Sequence, residues 1–233
     1  MIELKGKHNI AKVFTDSIEQ TAMDQIIELC DQAFTKGEDI RVMPDCHAGA
    51  GCTIGTTMTI TDKVVPNLVG VDIGCGILTV KLNDKHIEVE HLDKIIKANV
   101  PSGFTIRTAE HKLANNINLD NLRCKNILDS KRELKAIGTL GGGNHFIEVD
   151  KDKEGTLYLV IHSGSRHLGL EIARHYQNIA IKKLADKSIN KALAYLQGQD
   201  FDDYLNDMKI AQEYAELNRE VMAAVILREM KLR

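Results

Sequence analysis

Residues 137–167 read IGTLGGGNHFIEVDKDKEGTLYLVIHSGSRH, and they constrain the fold more tightly than any other stretch. Three consecutive glycines at 141–143 run into Asn144 and His145. Residues 144–150 and 156–162 carry the alternating or massed apolar side chains of strands, and the charged turn DKDKEG lies between them. If the two runs pair antiparallel, His145 and His162 come to the same open end in any register. An odd sum of paired residue numbers puts both rings on one face, and an even sum puts them on opposite faces. Local sequence leaves both open. Directly after His162 comes SGSRH, a small-residue bend bearing Arg166, whose planar fork of donors suits a phosphate.

Two further glycine-rich bends carry reactive side chains. In GVDIGCG, residues 70–76, Asp72 and Cys75 stand three apart inside an apolar run. A carboxylate there is costly unless it is paired or metal-bound. A turn aspartate beside a buried cysteine would also account for this stretch alone. The G-x-G-x-x-G dinucleotide spacing is missing, and no Walker A sequence occurs anywhere. In MPDCHAGAGCTIG, residues 43–55, Pro44, Asp45, Cys46 and His47 crowd a loop whose glycines would let backbone approach a phosphate. Cys46 and Cys52 have no second pair at zinc-finger spacing, and a structural loop is the simpler reading.

Collected, Asp72, Cys75, His145 and His162 form a soft-to-borderline ligand set. Ligand type alone names zinc, iron or cobalt ahead of manganese. A thiolate can also bridge two metals, and two metals can clamp a reacting phosphate. The five cysteines are odd in number and follow no signal-peptide pattern, which argues against a disulfide framework. No apolar run is long enough to cross a bilayer, so the expected location is the cytoplasm, with no membrane partner. A net charge of −3 excludes a surface basic throughout but not a local basic groove. The core must be mostly aliphatic, because aromatics make up only 4% of the chain and tryptophan is absent.

Periodicity predicts helices over 16–36, 87–98 and 120–136, with Asp16 and Glu19 at the start of the first and Gly37 at its stop. IRVMP reads as a short strand, GCTIGTTMTI alternates with Cys52, Ile54 and Ile60 on one parity, and NLVGVDIGCGILTVKL is two apolar runs around a bend. From residue 168 the chain turns helical, through NKALAYLQ and a long final segment from Asp203 that no glycine or proline stops. The expected class is α+β: mixed or antiparallel strands at the centre, helices around them and a helical C-terminal portion.

At these residues the chain resembles the RtcB family of RNA ligases. MPDCHAGAGCTIG, GVDIGCG, GTLGGGNHFIE and HSGSRHLG occur in the family's order and spacing, and MKIAQEYAELNR resembles a helix that follows them. The resemblance covers essentially the whole chain, 1–233, as one RtcB-like domain, but only about the N-terminal half of the family. It implies an enzyme that joins RNA ends bearing 3′-phosphate or 2′,3′-cyclic phosphate to 5′-hydroxyl ends, in tRNA splicing or RNA repair, using GTP and manganese. By resemblance Cys75 bridges two metals, Asp72 and His145 complete the shell of one, and His162 binds the other. Asn144, His145, Phe146, Ile147 and Glu148 line the guanylate site, and Arg166 matches the family's phosphate-binding arginine. An archease-like activator is an implied partner, as in some relatives.

The chain departs from the family pattern in two ways. The family often has an aliphatic residue where Cys46 stands. Its further metal-binding histidine and the histidine that carries GMP lie downstream of anything present here. The expectation is therefore an N-terminal part truncated at the C-terminus, forming no guanylate adduct alone. Manganese conflicts with ligand softness, but metal availability can override affinity, with zinc a competing occupant. Two rival readings use the same residues. A metal-dependent phosphoesterase would need no GTP, and a non-catalytic metal- or RNA-binding fragment would need no turnover.

Overall fold

The computed structural model describes residues 1–232 and is α+β. In chain order the elements are β1 (Ile2–Lys5), β2 (Ile10–Val13), α1 (Gln20–Cys30), β3 (Ile40–His47), β4 (Ile54–Met58), β5 (Lys63–Val64), α2 (Pro66–Val69) and β6 (Gly76–Lys81). Then follow α3 (Val89–Asn99), α4 (Ser130–Ala136), β7 (Phe146–Lys151), β8 (Leu157–Ser163), α5 (Arg166–Lys183), β9 (Leu196–Gln197) and α6 (Gln199–Met230). Two compact units emerge. One comprises Met1–Gly70 with Ala173–Tyr204, the other Val71–Ile172 with Leu205–Arg233, of which residues to 232 are described. Helices α5 and α6 contribute residues to both. Among the described residues, no helix is long and apolar enough to cross a membrane.

The first unit is built on a four-stranded mixed sheet, ordered β1-β2-β3-β4. Strands β2 and β3 run parallel, and the other two pairings are antiparallel. One apolar cluster covers it, with Ala11, Val13, Ile40 and Val42 from the strands against Ile26, Leu29 and Cys30 of α1. Helix α1 is shorter than its periodicity suggests. It starts at Gln20, because the Glu19 carboxylate accepts from the Ala48 backbone N–H at 2.7 Å, and it ends at Cys30. Asp31 then accepts from the Lys7 backbone N–H at 2.7 Å, and residues 33–35 form a separate 3-10 turn. The expected helix in NKALAYLQ is a 3-10 turn, Lys191–Leu193, followed by β9. That strand pairs with β5, a distant partner that local pattern cannot reveal. Of the expected one-face trio, Cys52 is buried, whereas Ile54 and Ile60 are exposed.

The second unit holds a three-stranded antiparallel sheet, ordered β6-β8-β7. One of its two sides is apolar. Leu159 and Ile161 of β8, with Ile147 and Val149 of β7, pack against Leu92 of α3 and Met222 and Ile226 of α6. Of the expected helix over 120–136 only α4 is α-helical, and Leu119–Asn121 and Lys125–Ile127 are separate 3-10 turns. Asp129 caps the start of α4 by accepting from the Arg132 N–H at 3.2 Å. Upstream, the buried Asp207 carboxylate takes the backbone N–H groups of Arg123 and Cys124 at 2.8 and 3.0 Å, satisfying this segment's donors without a helix. Of the two apolar runs around GVDIGCG, only the second is a strand. The first is the single-turn α2, started by Pro66.

Candidate metal centre

Sheet topology explains how three distant segments meet within the second unit. In the central strand β8, His162 pairs with Ile77 of β6 on one side and with Phe146 of β7 on the other. Cys75 immediately precedes β6, and His145 immediately precedes β7. Both therefore lie at the end of the sheet where β8 finishes in His162 and Ser163. The hairpin closes through Asp152, whose carboxylate accepts from the Thr156 N–H at 2.7 Å and the Tyr158 hydroxyl at 3.1 Å.

The β7–β8 register has an even sum, since Phe146 faces His162. By strand alternation alone His145 would point away from His162. It does not, because it stands outside the ladder, in the bend that follows the glycines. Its Nε2 lies 3.7 Å from the Cys75 Sγ, and the His162 Nε2 lies 3.3 Å from the same sulfur. The ligand atoms of Cys75, His145 and His162 all fall within 4.8 Å of one another. For metal bonds of about 2.0–2.3 Å, a tetrahedral edge is roughly 3.3–3.8 Å, so both sulfur–nitrogen separations suit a shared ion.

Asp72 lies beside the group, its Oδ2 2.9 Å from the His145 Nε2, but is not one of the three residues whose ligand atoms all lie within 4.8 Å of one another. That contact carries a chemical consequence. The Nδ1 of His145 lies 2.9 Å from the Leu140 carbonyl oxygen, which can only accept, so Nδ1 carries a proton. In a neutral ring Nε2 is then a bare lone pair facing a carboxylate oxygen and a sulfur. The repulsion is relieved by a proton on one of the three groups, such as the thiol S–H, or by a cation among them. A fixed Nδ1–H bond to a carbonyl is also how metal-binding histidines are commonly oriented.

Without an ion, Asp72 and His162 are held in the forms that bind a cation, whereas Cys75 is held as the thiol and must lose its proton to bind one. Burial raises the Asp72 carboxyl, but hydrogen bonding to His145 and Cys75 and the charges of His145 and Arg166 outweigh it, leaving the group below its usual range. Burial, then the Asp72 charge, pushes the Cys75 thiol up to about 11, with Arg219 pulling the other way. Burial and the His145 charge hold His162 below the usual imidazole range, favouring the neutral ring that a metal needs, while Asp72 opposes them. The other cysteines take no part. All five are free, and Cys30, Cys52 and Cys124 are buried.

Arg166 opens α5 with a φ of 58°. Its Nε donates to the Thr139 Oγ1 at 3.3 Å and its Nη2 to the Gly103 carbonyl at 3.1 Å. A guanidinium has five N–H donors, so three remain for a ligand. Of the residues expected around a nucleotide, Asn144 is exposed in the bend, and Phe146 stacks on His162 with ring centroids 5.3 Å apart. Glu148 shares the Phe146 face. Ile147 turns its side chain into the core on the other side, so only its backbone is available there. The MPDCHAGAGCTIG stretch belongs to the first unit, where Met43 to His47 form the end of β3.

Sequence reasoning missed two residues that hold these bends. Asn218 of α6 is fully buried. Its Oδ1 accepts from the N–H groups of Gly138 and Thr139 at 2.8 and 3.0 Å, and its Nδ2 donates to the carbonyls of Thr139 and Gly164 at 3.1 Å each. Next to it, the Arg219 Nη1 donates to the carbonyls of Gly74 and Ser163 at 2.8 and 2.7 Å. The available signal was an adjacent Asn and Arg inside an otherwise apolar helical face, at the end of MKIAQEYAELNR.

Comparison with known proteins gives a consistent result. A family model described as tRNA-splicing ligase RtcB matches residues 25–129 and 115–232. The RNA-splicing ligase RtcB of Escherichia coli K12 is 32% identical over 231 residues, covering 88% of this chain and 56% of that protein. The tRNA-splicing ligase RtcB of Methanococcus maripaludis is 30% identical, over 77% of this chain and 49% of its own length. That of Archaeoglobus fulgidus is 27% identical, over 92% and 56%. The chain thus spans about half the length of these curated relatives.

Proposed function

The chain belongs to the RtcB family, and from that premise we propose that its second unit carries the metal and RNA-end site of an RNA ligase. In this reading Asp72, Cys75, His145 and His162 hold divalent metal, manganese in the working protein, with Cys75 shared between two ions and zinc able to compete. Arg166 holds the phosphate of an RNA 3′-end, and Asn144, Phe146, Glu148 and the backbone of Ile147 line a guanylate. The reaction served is cytosolic joining of a 3′-phosphate or 2′,3′-cyclic phosphate end to a 5′-hydroxyl end, with GTP, in tRNA splicing or RNA repair. An archease-like activator is a candidate partner.

The observation that carries this reading is the His145 ring, proton-bearing on the Leu140 side and turned toward a carboxylate and a sulfur on the other. A divalent ion bound there would neutralise phosphate charge and ease deprotonation of an attacking hydroxyl. The chain's own groups do the positioning. Leu140 fixes the His145 tautomer, leaving its Nε2 turned toward the Asp72 carboxylate, where both would face a bound ion. Arg166, clamped by Thr139 and Gly103, presents its remaining donors to an anion.

Metal content after dialysis is the direct test. Wild-type protein should retain manganese or zinc, Cys75→Ala should lose more than Asp72→Ala, and Arg166→Ala should keep the metal while binding RNA 3′-phosphate more weakly. Equal retention by Cys75→Ala and Asp72→Ala would remove the shared thiolate. Absence of metal from the wild type would remove the centre.

A further inference from the structure

Beside the glycine bend at 141–143 lies a cavity of about 450 Å³, within the range of small-ligand sites. Phe104, Ile106 and Leu170 give it apolar walls, and Arg132, Arg166 and His167 give it a polar side. At its rim stands Phe104, 104% exposed, so its ring forgoes all the stabilisation that burial would bring. The ring's loop is firmly tied. The Gly103 N–H donates to the Gly141 carbonyl at 2.8 Å, the Thr105 N–H to the Ser102 carbonyl at 3.2 Å, and the Leu140 N–H to the Pro101 carbonyl at 2.9 Å. The Gly103 carbonyl is also the one that Arg166 grips. The peptide unit that leads into Phe104 therefore also anchors the arginine, and both side chains line the same cavity.

The polar groups are not equivalent. Arg132 and His167 both bond the buried Glu133 Oε1, at 2.9 and 2.8 Å, so the Arg132 charge already has a carboxylate partner. Arg166 hydrogen-bonds two neutral groups, the Thr139 hydroxyl and the Gly103 carbonyl, and keeps donors for an anion. A ligand that answers this wall needs a flat π-face for Phe104 and an anion for Arg166, and a nucleotide supplies both.

We propose that the cavity takes the terminal nucleotide of a single-stranded RNA, its base stacked on Phe104 and its phosphate on Arg166. This rests on the RNA-end reading above and adds to it a contact with the base. Stacking on an aromatic face tolerates any base, which suits an enzyme acting on ends of varied sequence.

The experiment measures anisotropy of a labelled single-stranded RNA 3′-phosphate, carrying either a normal or an abasic last nucleotide. Wild type, Phe104→Ala, Phe104→Leu and Phe104→Trp are compared, with folding checked by circular dichroism. Phe104→Ala should weaken binding of normal RNA roughly 5- to 150-fold, the range found for loss of one base–aromatic stack. Phe104→Leu should weaken it nearly as much, and Phe104→Trp should restore it. The abasic RNA should bind wild type as weakly as normal RNA binds Phe104→Ala, with no further loss when the two changes are combined. Full multiplication of the two losses, a Leu variant as good as wild type, or a loss seen for GTP instead of RNA would each overturn the stack. If RNA binds wild type and Phe104→Ala equally, the stack alone fails. If RNA does not bind wild type even at low salt, the RNA-end reading fails with it.

Discussion

Gly141 and Gly164 matter through the side chains they leave room for. A Cβ at Gly164 would lie 2.1 Å from the Asp72 Oδ1, so alanine there must push the carboxylate off His145. Gly164→Ala should lower metal affinity about 10- to 100-fold, the usual cost of disturbing a group that orients a ligand, as read by titration against a chelator. A Cβ at Gly141 would lie 1.7 Å from the Arg166 Nη1, at a backbone φ of +86°. Gly141→Ala should therefore displace the guanidinium and add about 1–2 kcal/mol of backbone strain. RNA 3′-phosphate binding should fall roughly tenfold or more, as expected for loss of a charge-assisted hydrogen bond, while metal content is unchanged. Loss of metal in this variant would show that the bend holds the metal centre and not Arg166 alone. Both outcomes were legible only in part beforehand. The glycines stood out in the sequence, but the side chains they accommodate come from segments 25 or more residues away.

The three-stranded sheet and the long last helix set the site at the level of elements. Cys75 and His145 sit just before a strand, where alternation does not dictate their direction, whereas His162 lies within β8 near its end. The bends are held by α6, through Asn218 and Arg219. Asn218→Ala would leave the N–H groups of Gly138 and Thr139 and the carbonyl of Gly164 buried without their partner. Each such group costs about 1–3 kcal/mol, so urea unfolding should show a loss of about 3 kcal/mol or more, with metal affinity reduced as well. A change under about 1 kcal/mol would mean that the bends find other partners. The hairpin and both of its histidines could be read from residues 137–167. The face His145 would present could not, because it depended on whether that residue lay inside or outside the ladder.

At the scale of the molecule, the metal should act as a ligand that favours the folded second unit. Free metal at a hundred times its dissociation constant contributes about 2.7 kcal/mol, which for a chain of this length raises the melting temperature by roughly 5–11 °C. Cys75→Ala should abolish the rise. If the two units melt separately, only the transition of the unit containing Cys75 should move. An equal shift in Cys75→Ala would place the stabilising ion elsewhere.

Local chemistry was sufficient to mark Asp72, Cys75, His145, His162 and Arg166, because a carboxylate, a thiol and two imidazoles at glycine-rich bends are conspicuous without any structure. It was also sufficient for the hairpin and the final helix, whose periodicities are properties of neighbouring residues. The meeting of Cys75, His145 and His162 needed β6 to join β8, bringing Cys75 to His162 across 87 positions of chain. The anchoring by Asn218 needed α6 to pack against bends some 80 and 54 residues away. Pairings of that range depend on which surfaces bury one another, and no short window of residues records that choice.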